Sequence, residues 1–178
     1  MHEVPFNTDS FFSMLIMLVL VPSLIILTPV MVLGLRLQKI RNKQPYPVTG
    51  ALLAFLAGFL PAGLWLSWNS DNSIIHYFQH GAPTQFPKWQ IYGCGLTIVV
   101  LSALVFVTYV RRRNALSVTS VFTAAGFAAA FAHAASFGVL TQQPVGVALS
   151  YIGILFLVLV TNGIILGIIT VRKRESRT

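Results

Sequence analysis

Residues 99–125 read VVLSALVFVTYVRRRNALSVTSVFTAA, and the four residues Arg111-Arg112-Arg113-Asn114 inside that stretch decide the fold. Read through, the surrounding run 90–140 is one apolar helix far longer than a bilayer accepts. Broken there, it is two spans joined by a hinge. A spanning helix needs about 20 mostly apolar residues at roughly 1.5 Å rise each, and an arginine at the centre of a span costs roughly 2.5 to 3.5 kcal/mol on insertion scales. Three in succession do not stay in hydrocarbon, so the sequence predicts a turn at this point.

Working outward, the same test finds five apolar runs, at about 11–35, 47–68, 90–110, 117–140 and 145–171. Three basic clusters bound them: Arg36, Lys39, Arg41 and Lys43; the hinge arginines; and, after the last run, Arg172, Lys173 and Arg174. With five spans, eleven of the twelve Lys+Arg fall on one face, leaving only Lys88 on the other. The excess of Lys and Arg in cytoplasmic loops then predicts the N-terminus outside and the C-terminus cytoplasmic. The first run follows Glu3 and Asp9 rather than a basic start, and it is long for a signal peptide, so it is expected to be a retained span.

Composition agrees. Of 178 residues, 56% are apolar and only 9% charged, where soluble domains carry about 25% charged residues. The net charge of +8 would suggest nucleic acid in a soluble protein, but here the basic residues punctuate apolar runs, so a lipid surface and no nucleic acid is expected. The predicted fold class is all-α: a polytopic membrane protein of five transmembrane helices, forming a single membrane domain without internal repeats. Its one sizeable polar loop, 69–89, is placed outside. The pattern fits a cell membrane, most simply a bacterial plasma membrane.

Helices in lipid associate through close-packed small residues, and three faces offer them. The second span carries Ala54, Gly58 and Ala62 at four-residue spacing, and the fourth is alanine-rich from Ala124 to Ala135. The fifth carries Gly163 and Gly167 as a GxxxG. Internal packing accounts for such faces, and docking of a partner helix is the sharper reading, with the fifth span its best candidate. Pro22, Pro29 and Pro61 predict bends in the first and second spans.

Counting excludes much chemistry. No Asp, Glu, Lys or Arg lies inside any span, and Cys94 is the only cysteine. Paired carboxylates for hydrolysis, axial histidine pairs for haem, a retinal lysine and a CxxC thiol pair all need residues that are missing. His133 is the one intramembrane histidine. Its depth matches Tyr151 across the 141–144 turn, so a His133 to Tyr151 hydrogen bond is expected. Asn162 lies deeper and is expected to bond a neighbouring helix. In the outer loop, His76 and His80 stand four residues apart, a spacing that suits Zn or Cu if the segment is helical, or the wet side of an interfacial helix.

No enzyme is expected, and no cofactor beyond a possible outer-loop metal. Three functions remain open: a non-catalytic accessory or assembly subunit of a larger respiratory or transport complex; a small self-associating channel or carrier for an uncharged solute; and an outer-face metal-binding protein.

Overall fold

The computed structural model describes residues 6–41, 44–68, 75, 86–112, 114–137 and 143–175. These residues are almost all helical and include no strand. The first span is built of α1 (Thr8–Met14), a π-helical stretch (Leu15–Leu20) and α2 (Val21–Arg41). The others are α3 (Val48–Trp65), α4 (Lys88–Tyr109), α5 (Ala115–Ala135) and α6 (Gln143–Glu175). Among the described residues, five stretches are long and apolar enough to cross a membrane. Their bounds follow the sequence expectation except that α5 stops at Ala135 instead of reaching 140.

The helix boundaries have local causes. Asn7 caps α1 by accepting the Ser10 amide at 3.0 Å, which satisfies one of the free donors of the first turn. Pro47 and Pro87 stand just ahead of α3 and α4, where a missing N–H removes nothing from the helix ladder. Between α4 and α5 the chain turns as the charges require: the Arg112 amide bonds the Tyr109 carbonyl at 2.8 Å, and Asn114 takes a left-handed conformation with φ 56°. Asparagine tolerates that conformation better than most side chains. Its Nδ2 also reaches the Val30 carbonyl at 3.2 Å, tying the hinge to the first span.

Pro22 follows directly on a change of helix type in the first span. Its ring would press on the carbonyl one turn earlier, and the widened π-helical turn lies just before it, at Leu15–Leu20. Ser23 Oγ donates to the Val19 carbonyl at 2.6 Å and Thr28 Oγ1 to the Leu24 carbonyl at 2.6 Å. Each hydroxyl, one residue from a proline, thus bonds the carbonyl four residues back in its own helix.

α5 is the hub. Among the spans, 78% of its most apolar stretch is buried, against 6% for the first and 11% for the fifth. α3, α4, α6 and the first span all pack on it. At one end of the bundle the Asn7 amide bonds the Ser136 carbonyl at 2.9 Å. At the other, Tyr46 Oη meets Thr119 Oγ1 at 2.9 Å and its ring lies 5.3 Å from Tyr109. Burial raises the Tyr46 phenol above its usual pKa, against the lowering effect of the Thr119 bond.

Candidate functional site

The small-residue faces have different fates. On α3, Ala54 is fully buried and Ala62 is 5% exposed. A Cβ on Gly58 would overlap the Thr123 carbonyl oxygen and lie 2.9 Å from the Phe127 nitrogen of α5. Reciprocally, a Cβ on Gly126 would overlap the Phe55 carbonyl oxygen and lie 3.0 Å from the Phe59 nitrogen of α3. Two glycines therefore let two backbones touch, and this face is spent inside the bundle.

α6 contrasts with it. Cβ atoms built on Gly153, Gly163 and Gly167 meet nothing within 4 Å. Ile152, Phe156, Val160, Ile164 and Ile168 are exposed along the same helix. α6 nevertheless holds its place in the bundle, because Val147, Tyr151, Val158 and Asn162 turn inward.

The intramembrane polar residues are arranged otherwise than their depths predict. Tyr151, 2% exposed, meets Ser23 Oγ of the first span at 2.9 Å. The expected partner, His133, sits in an aromatic box, with ring centroids 5.5 Å from Phe6, 6.2 Å from Phe11 and 5.5 Å from Phe137. The reason is lateral: depth matches Tyr151 with both residues, but the first span packs beside α6 and brings Ser23 to the hydroxyl.

Asn162 also departs from expectation. It is fully buried, and neither its Nδ2 nor its Oδ1 has a hydrogen-bond partner among the described residues. Ile98, Phe127 and Val158 form one core cluster from three helices. One turn further along each helix, on the same face, stand Ser102, Thr123 and Asn162, all fully buried. Asn162 thus belongs to a polar layer within the core. Ser102 Oγ donates to the Val99 carbonyl at 3.1 Å, while Thr123 Oγ1 and Ser120 Oγ have no partner among the described residues. Thr108 and Thr161 instead bond carbonyls of their own helices, Leu104 and Leu157.

His76 and His80 lie outside the described residues, as do His2, Glu3 and Asp71 of the same expected face. Among the described residues, no three His, Cys, Asp or Glu come together as a metal site. Cys94 is buried beside Ile98 and Ala62. Sequence reasoning missed the Ser23 to Tyr151 bond and the role of Gly126. Only the second left a signal, as the single glycine among the alanines of 124–130.

Among the described residues, five apolar helices, four of them packed around the buried fifth, and no strand define an all-helical multi-pass membrane protein. No protein family, curated protein or solved structure gives a match to this chain.

Proposed function

We propose that this chain is a non-catalytic accessory or assembly subunit of a larger membrane complex, of respiratory or transport type. The observation that carries the reading is the open glycine face of α6. Gly163 and Gly167 keep free the close-approach geometry that Gly58 and Gly126 use up internally. Such a face suits one transmembrane helix of a partner subunit, because small residues let backbones approach and make van der Waals contact where lipid supplies no hydrophobic drive. The absence of charged residues from the predicted spans fits a scaffold better than a carrier or enzyme. The same reading places the protein in a bacterial plasma membrane, N-terminus outside and C-terminus cytoplasmic, because the hinge arginines, the end of α2 and the end of α6 carry the basic residues.

The test is purification of tagged protein from its native membrane in mild detergent, with native mass spectrometry of what co-elutes. A stoichiometric membrane partner is expected, and Gly163→Leu with Gly167→Leu should release it. Elution alone or as a homo-oligomer would overturn the reading and favour the channel alternative.

A further inference from the structure

The first span and α3 each pack on α5 rather than on one another. Between them a groove opens sideways, away from the hub. One part, about 320 Å³, runs between Leu20 and Leu24 of the first span and Phe55 of α3 over a floor of Phe122 and Ala125. A second part, about 360 Å³, continues past Phe55 and Phe122 to Ala51, Pro47 and Met31. From Leu15 to Met31 the wall rises about 24 Å at the helical repeat, more than half of a hydrocarbon core roughly 30 Å thick.

Hydrocarbon fits this groove better than anything polar. Its two hydroxyls are already engaged, Ser23 with Tyr151 and Val19, and Tyr46 with Thr119. A partner helix, about 10–12 Å across, would need a far wider trough than cavities of 320 and 360 Å³. The end near Tyr46 is basic. Gln44, two residues before Tyr46, accepts a hydrogen bond from Arg112, and Arg111 beside it is exposed. The backbone of α2 runs on from Val30 through Arg36, Lys39 and Arg41 at the same end.

We propose that this groove holds one acyl chain of an anionic phospholipid, with the phosphate drawn to Arg111 and Arg112. The inference does not depend on the α6 face. Basic residues at a membrane surface attract anionic headgroups, and a groove open to lipid lets the tail enter without opening the bundle.

The experiment is native mass spectrometry of detergent-purified protein incubated with phosphatidylglycerol or with phosphatidylcholine of the same acyl chains. A one-to-one phosphatidylglycerol adduct is expected to survive conditions that strip phosphatidylcholine. Arg111→Gln and Arg112→Gln should each weaken that preference about five-fold. Leu24→Trp and Ala51→Trp, which fill the groove, should lower retention of both lipids, whereas Leu64→Trp, at an exposed position of α3 outside the groove lining, should change neither. Equal retention of the two lipids, or retention unchanged by the groove-filling variants, would overturn the proposal. A photo-crosslinking residue at position 24 should acquire the mass of a lipid in native membrane, and a protein adduct there would overturn it as well.

Discussion

Tyr151 and Ser23 hydrogen-bond at 2.9 Å across 128 residues of sequence, joining the last span to the first. An interhelical hydrogen bond in a membrane contributes about 0.6 to 2 kcal/mol. Tyr151→Phe removes only the hydroxyl, and its expected cost is about 1 kcal/mol in a reversible denaturation assay in micelles. Ser23→Ala should cost a similar amount plus its bond to the Val19 carbonyl. The double variant should therefore cost less than the two singles combined, and strict additivity would show that the bond contributes nothing.

Gly58 and Gly126 permit no side chain without moving a backbone. Overpacking a core costs roughly 1–3 kcal/mol, so Gly58→Ala and Gly126→Ala should each lower the midpoint of thermal unfolding. Gly63→Ala, where a Cβ meets nothing within 4 Å, is the control and should leave it unchanged or raised. Equal effects at Gly58 and Gly63 would contradict the close crossing of α3 and α5.

Asn162 offers the opposite experiment. A buried polar group without a partner costs about 1–3 kcal/mol, and replacing it with an apolar side chain of similar shape is close to neutral or stabilising. Asn162→Leu is accordingly expected to leave thermal stability unchanged or higher. A loss of more than about 1 kcal/mol would mean that the amide is hydrogen-bonded in the membrane.

The proposed orientation is tested by reporters at the C-terminus. Fused green fluorescent protein should fluoresce in bacterial cells, and alkaline phosphatase at the same place should be inactive. Reversing the sign of the clusters around Arg36 and Arg111 should disturb this pattern, because Lys and Arg rather than net charge set orientation. An active phosphatase fusion in the unaltered protein would invert the assignment.

The spans were legible because each property that defines one is local: an apolar run, a charge that cannot enter, a proline at the start. Arg111-Arg112-Arg113-Asn114 announced its turn, and Asn114 took the left-handed conformation that closes it. Gly58 was recognisable as a packing residue, but its partner was not, because nothing in a linear pattern says which helix faces which. The same gap explains Tyr151. Sequence gives the depth of a side chain in the bilayer, whereas the choice between His133 and Ser23 depends on rotation and lateral order, which arise only when five helices pack together. Asn162 reversed its expectation for a related reason, since its neighbours Ser102 and Thr123 became evident only once Ile98, Phe127 and Val158 met in one cluster.

The burial gradient across the helices sets how freely each can vary. α5 is surrounded by protein, so nearly every position from Val118 to Ala130 is constrained in volume by a neighbour on some side. The first span and α6 face outward over most of their surfaces, where, Gly163 and Gly167 apart, one aliphatic residue serves nearly as well as another. Random substitution along the gene should therefore leave two tolerant helices flanking an intolerant one, with the alanines of α5 more vulnerable to enlargement than the leucines of the first span are to replacement.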